Sequence, residues 1–212
     1  MTPLAKHTHA QVDGVRGQRL FKVLAPQDLE TSNLPADQVL IWDPDTQQGA
    51  NGAITVRSPR DPGVISSGDV VRLREGASLV SVVYRRGSSA NVLFTTERCN
   101  SLCLMCSQPP REGDDSWRTE ELLELIPLID PEERQLGVTG GEPTLLGEGL
   151  AVILESCREL LPGTQLHVLT NGRGFRNPSL AEQWATAGGG STMWAVPLCP
   201  PSAPMRQIEG SV

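Results

Sequence analysis

The chain has 212 residues, a formal net charge of −7, 38% hydrophobic residues and 20% charged residues. That length has room for one good core or two small ones, and the composition is that of a soluble globular protein. Arginine and lysine are dispersed, so no basic stripe presents itself to a phosphate backbone and nucleic acid is excluded as a partner. No apolar run nears the ~20 residues that a membrane helix needs. Residues 1–10 lack the apolar core of an export signal, so no membrane association and a cytoplasmic location are expected.

Residues 1–90 read as a small β-rich domain. Proline and glycine punctuate it at Asp43-Pro44-Asp45, Ser58-Pro59, Asp61-Pro62-Gly63 and Ser67-Gly68-Asp69. Between these turns lie short β-prone runs, at Ile54 to Val56, Val70 to Leu73 and Leu79 to Tyr84. From Asn91 the pattern changes to strand–helix alternation, giving a second domain over 91–199. Val92-Leu93-Phe94 is a short apolar strand that leads into a cysteine segment. Thr119-Glu120-Glu121 opens a helix with a capping hydroxyl and an acidic first turn, and Pro127 should kink or end it. Strands are expected over 135–139, 165–170 and 193–198. Helices are expected over 148–161 and 179–187, the first closed by Pro162-Gly163. Residues 200–212 read as a flexible Pro-rich tail.

Such alternation predicts an α/β fold with a parallel sheet and right-handed crossovers. Chemistry in these folds sits at the C-terminal ends of the strands. Three motifs fall there: the cysteines after the first strand, Gly140-Gly141-Glu142-Pro143 after the second and Asn171-Gly172 after the third.

The cysteine segment is Cys99-Asn-Ser-Leu-Cys103-Leu-Met-Cys106. Iron–sulfur clusters are held by thiolates, and three on one tight loop hold three corners of a cubane while leaving one iron open. A catalytic cluster needs that open corner. The alternative is a structural zinc site with a fourth ligand elsewhere, although zinc sites usually come as two spaced pairs. In Gly140-Gly141-Glu142, glycines at a strand end let a ligand approach the backbone, and exposed carbonyls with a nearby carboxylate attract an ammonium group. The bland reading is a strand-to-helix turn. Asn171-Gly172 has its own bland reading as an Asn-Gly turn. Cys157 lies on an apolar helix face and reads as a buried hydrophobe. His167 reads as structural, Cys199 has no assigned role, and the four tryptophans form no legible stacking array.

The C-x-x-x-C-x-x-C spacing is the signature of radical S-adenosylmethionine (radical SAM) enzymes. The wider stretches Leu93 to Pro110, Val138 to Thr144 and Leu166 to Arg173 resemble the His-Xaa-Ser system radical SAM maturases, in particular the member with a β-rich N-terminal region. That resemblance implies a 4Fe-4S cluster on Cys99, Cys103 and Cys106 and S-adenosylmethionine near Gly140, Gly141, Glu142 and Asn171. Met105 stands where many of these enzymes have an aromatic residue that packs near the adenine. The resemblance also implies a peptide or protein substrate bearing His-Xaa-Ser repeats, a second radical SAM maturase as partner, and an electron donor such as flavodoxin or ferredoxin. The implied fold is a partial parallel (β/α) barrel of about three βα units plus one strand, behind the β-rich domain. The family core resembles six such units, so the chain reads as C-terminally truncated, frameshifted or half of a split enzyme. The competing functions are a radical SAM enzyme for a small metabolite, an activase, a non-catalytic iron–sulfur or zinc module, and an inactive truncated product.

Overall fold

The computed structural model describes residues 7–9, 11–13, 15–28, 33–41, 55–57, 62–103, 106 and 110–196. They form two compact units. The first holds the residues up to Asn91 together with Glu124–Glu133; the second holds the rest. In chain order the first unit contributes the strands β1 (His7–His9), β2 (Gln11–Asp13), β3 (Gln18–Leu24), β4 (Val39–Ile41), β5 (Thr55–Arg57), β6 (Val70–Arg74) and β7 (Leu79–Tyr84). Five of these make one sheet in the order β1-β7-β6-β3-β4, antiparallel except where β3 meets β4. β2 and β5 form a separate antiparallel pair.

Strand β7 alternates: Val80, Val82 and Tyr84 are buried while the residues between them are not. The sequence marks β5, β6 and β7 by this kind of run. It does not mark β3, although Phe21 and Val23 are fully buried there and belong to the unit's core with Val71, Leu73 and Val80. The reason is Lys22, which interrupts the apolar run. Its Nζ is buried, donates to the Leu128 carbonyl at 2.8 Å and lies 5.5 Å from the Tyr84 ring centre. Burial pushes the Lys22 amine below the ordinary lysine range, against the pull of Asp130. Further bonds fix the same short segment: Tyr84 Oη donates to Glu133 at 2.9 Å, Asn91 Nδ2 donates to Glu133 at 3.0 Å, and Arg86 pairs with Asp130 at 2.6 Å. Glu124–Glu133 therefore joins the N-terminal β strands, although in the chain it connects a helix to a strand of the second unit.

The second unit runs β8 (Val92–Phe94), α1 (Trp117–Leu125), β9 (Gln135–Thr139), α2 (Glu148–Leu160), β10 (Gln165–Leu169), α3 (Pro178–Gly188) and β11 (Thr192–Ala195). The last two residues of α1 cluster with the first unit. Its four strands are all parallel, in the order β11-β10-β9-β8. The fold is therefore mixed α/β with a parallel sheet, and no closed barrel forms among the described residues. Leu136 and Val138 on β9 and Leu166 and Val168 on β10 alternate into the core, which also takes Leu150, Ile153 and Leu154 of α2. The expected strands and helices recur here within a few residues. One boundary differs: α1 begins at Trp117, so Thr119 sits inside the first turn rather than capping it. As Pro127 requires, α1 stops at Leu125 and a 3-10 turn, Ile126–Leu128, follows. The end of the fourth expected strand, with residues 197–212, lies outside the described residues. No described helix is long and apolar enough to cross a membrane.

Two tryptophans do assemble, contrary to the sequence reading. Phe175 meets Trp194 edge-on at 5.2 Å and Trp184 at 6.0 Å. Trp184 is fully buried, and its indole N–H donates to the Gly147 carbonyl at 2.9 Å. Such a cluster is a tertiary product with no local pattern to announce it.

Cys157 is buried on α2, and burial pushes its thiol up to about 12. At pH 8 that leaves about one thiolate in ten thousand. We expect iodoacetamide to leave Cys157 unmodified in the native protein and to alkylate it once denaturant is added. Peptide mapping checks this; rapid native labelling of Cys157 would contradict its placement.

Candidate functional site

The ends of β8, β9 and β10 are tied to one another by side chains and by backbone. Beyond β8, Thr95 N donates to the Thr139 carbonyl at 2.7 Å, and its hydroxyl bonds the same oxygen at 3.0 Å. Gly141 N then donates to the Thr96 carbonyl at 2.7 Å, and Glu142 N to the Arg98 carbonyl at 2.9 Å. The chain leading to the cysteines thus runs alongside the chain leaving β9.

This closeness explains Gly140 and Gly141 differently from the sequence reading. Gly140 has φ +155°, and a Cβ there would lie 2.5 Å from the Thr96 carbonyl oxygen. A Cβ on Gly141 would collide with the Arg98 carbonyl oxygen and stand 3.1 Å from Cys99 Cβ. The space where their side chains would stand is taken by the protein's own backbone. The expected turn is also present, since the 3-10 segment Pro143–Leu146 leads from Glu142 into α2.

Glu142 is fully buried. Its Oε1 accepts from Thr144 N at 3.1 Å, Thr144 Oγ1 at 2.5 Å and Thr170 Oγ1 at 2.6 Å, and its Oε2 accepts from Asn171 N at 2.6 Å. A carboxylate out of water requires this many donors. The group whose charge was expected to face a ligand is thus held mainly by the chain itself, bridging the ends of β9 and β10. Thr170 is the residue here that the sequence reading missed; a hydroxyl beside Asn-Gly at a strand end was the available signal.

Asn171 reaches the cysteine loop. Its Nδ2 donates to Asn100 Oδ1 at 2.7 Å and Ser101 Oγ at 3.1 Å, while its Oδ1 accepts from Arg173 N at 3.0 Å. Arg173 adds a bond to the Asn100 carbonyl at 3.0 Å. Gly172, at φ +78°, takes the left-handed conformation that suits glycine. The Asn-Gly turn is therefore real, and the asparagine at its head also holds the loop.

The stem of the loop is fixed from the α1 side. Asp115, 8% exposed, accepts from Thr96 Oγ1 at 2.6 Å, Glu97 N at 2.8 Å and Arg98 Nε at 2.9 Å. Burial works to raise its pKa, but these bonds and the Arg98 charge outweigh it and hold the carboxyl below the usual aspartate range. Arg118 pairs with Glu97 at 2.9 Å while its guanidinium lies 4.9 Å from the Phe94 ring centre and 4.5 Å from that of Trp117. The Arg111 N–H closes the loop on the Glu97 carbonyl at 3.0 Å. Asp115 was not foreseen, because its partners at 96–98 are set by tertiary structure.

Of the three cysteines, Cys99 and Cys103 are partly buried and Cys106 is exposed. Cys106 N donates to the Cys103 carbonyl at 3.0 Å. Burial pushes the Cys99 thiol up, and the negative charges of Glu142, Cys103 and Cys106 add to the effect despite a backbone bond from Ser101. Among the described residues, no three His, Cys, Asp or Glu side chains are gathered closely enough to hold one metal ion. Met105 and Cys199 lie outside the described residues. The structure therefore brings Cys99, Gly140, Gly141, Glu142 and Asn171 together, with Cys103 and Cys106 in electrostatic reach of Cys99.

A parallel sheet thus collects thiols, a glycine turn and a buried carboxylate at its C-terminal edge, the side on which ligands bind in open α/β sheets. Residues 93–197, which contain all of these groups, match the model of the Radical SAM superfamily, and the chain carries a Radical SAM superfamily domain over that stretch. Such a domain is that of an enzyme of S-adenosylmethionine-dependent radical chemistry, and the superfamily generally uses a 4Fe-4S cluster. No curated protein and no solved structure matches the chain.

Two outcomes follow from this geometry. Asp115→Ala leaves buried donors unmet and should cost about 1–3 kcal/mol, read by chemical denaturation. Because the Asp115 pKa is lowered by folding, its contribution is present above the ordinary aspartate value of about 4 and is lost as pH falls through the folded-state value. The stability gap between wild type and Asp115→Ala should therefore narrow in acid; a gap that is constant with pH would contradict the assignment. Gly141→Ala should displace the cysteine stem, and thiol-labelling of Cys99 should accelerate.

Proposed function

We propose that this chain is a radical SAM enzyme that modifies a peptide or protein, as the His-Xaa-Ser maturases it resembles are expected to do. The observation that carries the reading is the meeting of the cysteine loop, the Gly140–Gly141 turn and Asn171 at one edge of the parallel sheet inside the superfamily domain. The donor set fits a cluster. Three thiols lie on one loop, with Cys99 and Cys103 partly buried and Cys106 exposed, and a cationic centre would bind them as thiolates. Cys99, Cys103 and Cys106 would hold the cluster, and the backbone of Gly140 and Gly141, with the Glu142 charge behind it, would face the ammonium group of S-adenosylmethionine. With both cofactors bound, the chemistry available is one-electron cleavage of the sulfonium followed by hydrogen-atom abstraction from the substrate.

The protein's own contribution is to hold and shield. Asp115 and Arg118 fix the stem of the loop, Asn171 its first residues. Burial of Cys99 keeps its proton on sulfur until a cation displaces it. A macromolecular substrate is favoured by the N-terminal sheet, whose edge strands β1 and β4 each have one side without a strand partner among the described residues and could take up an extended peptide. A second maturase, a flavodoxin or ferredoxin as electron donor and a cytoplasmic setting complete the proposal.

Anaerobic reconstitution of the full chain with iron and sulfide tests it. The expected result is a brown protein with a cluster EPR signal that changes on adding S-adenosylmethionine, and 5′-deoxyadenosine after reduction. Cys103→Ser should abolish the signal. A mass change on a peptide with His-Xaa-Ser repeats would support the substrate class. A colourless protein with stoichiometric zinc would overturn the reading.

A further inference from the structure

We infer that Asn171 is a positioning residue for the cysteine loop, setting where Cys99 stands, rather than a contact to S-adenosylmethionine. The inference rests on the proposed cluster reading and deepens it. Its basis is that every polar atom of the Asn171 side chain is committed within the chain. Nδ2 has two protons, and one goes to Asn100 Oδ1 at 2.7 Å while the other goes to Ser101 Oγ at 3.1 Å. Oδ1 takes the Arg173 N–H at 3.0 Å. The amide has no donor left for a ligand.

The position of that amide is itself determined. The Asn171 N–H is bonded to Glu142 Oε2 at 2.6 Å, and Glu142 is fully buried with Thr144 and Thr170 on its other oxygen. Asn100 and Ser101 directly follow Cys99 in the C-x-x-x-C spacing. A rigid path therefore runs from the buried carboxylate through the Asn171 backbone and side chain to the two residues after the first thiol. Arg173 grips the same point from its other side, on the Asn100 carbonyl. The path gives Asn100 and Ser101 a role that ligation alone does not supply. Groups that orient a metal ligand typically change metal affinity 10–100-fold when removed.

The test uses the full chain, reconstituted anaerobically, with iron release to a chelator as the readout, and without reference to turnover. Asn171→Ala keeps its backbone bond to Glu142, so its thermal transition should stay near that of wild type while iron release becomes about 10–100-fold faster and the EPR signal broadens. Asn100→Ala should act alike. The double variant Asn171→Ala/Asn100→Ala should be no worse than the worse single variant, because both changes break one path. Wild-type release kinetics in Asn171→Ala, or fully additive effects in the double variant, would overturn the inference. Should Asn171→Ala lose its fold, Asn100→Ala and Ser101→Ala carry the test from the loop side, and unchanged release in both would overturn it. A wild-type chain that takes up no cluster would instead sink the underlying cluster reading, which separates the two failures.

Discussion

A carboxylate with no water around it survives only where donors replace the water. Glu142 meets that condition with donors from its own turn and from the end of the neighbouring strand, and no ion pair among the described residues includes it. The arrangement at the sheet edge follows. Thr170 and Asn171 must lie where Glu142 can reach them, so β9 and β10 are locked at their C-terminal ends. Asn171 in turn fixes Asn100 and Ser101. Removing the carboxylate would leave several buried donors unmet at once.

The chain is held on the two sides of Cys99 by different means. The stem of the cysteine loop is fixed by charge and hydrogen bonding to Asp115 and Arg118, and its first residues by a neutral amide. The first set weakens in acid, while an amide does not titrate. The glycines between them allow the backbones to touch: Gly140 and Gly141 matter for what they lack, since Thr96 and Arg98 occupy the volume of their missing side chains. The glycine turn was named from sequence for the closeness it allows to a ligand; the structure adds that it also allows two segments of backbone to meet.

The parallel sheet was legible because its elements are regular. Leu136 and Val138, then Leu166 and Val168, alternate cleanly, and α2 carries its apolar face at helical spacing between clear stops. Strand β3 was not legible because Lys22 breaks its apolar run, and only the fold reveals that the amine is satisfied by the Leu128 carbonyl. β1, β2 and β4 are three residues each, too short for a period to show. At the site, the cysteines, the glycine turn and Asn171 could be named from sequence, because each is a local motif at a strand end. Asp115 and the tryptophan cluster could not, because their partners at 96–98 and at Phe175 are brought to them only by the tertiary fold. The start of α1 was misplaced for a related reason: Asp115, just before the helix, is engaged by the loop stem.

The N-terminal unit is made of two separate stretches of chain, since Glu124–Glu133 belongs to it. The polypeptide accordingly leaves that unit, returns to it for ten residues, and leaves again. A cut at the apparent boundary near residue 91 therefore does not separate the two units. It would part Lys22, Tyr84 and Arg86 from Leu128, Glu133 and Asp130, the residues that they bond. A change at Glu133 or Asp130 therefore acts on the unit of the N-terminal sheet, although both lie within the stretch that matches the superfamily model.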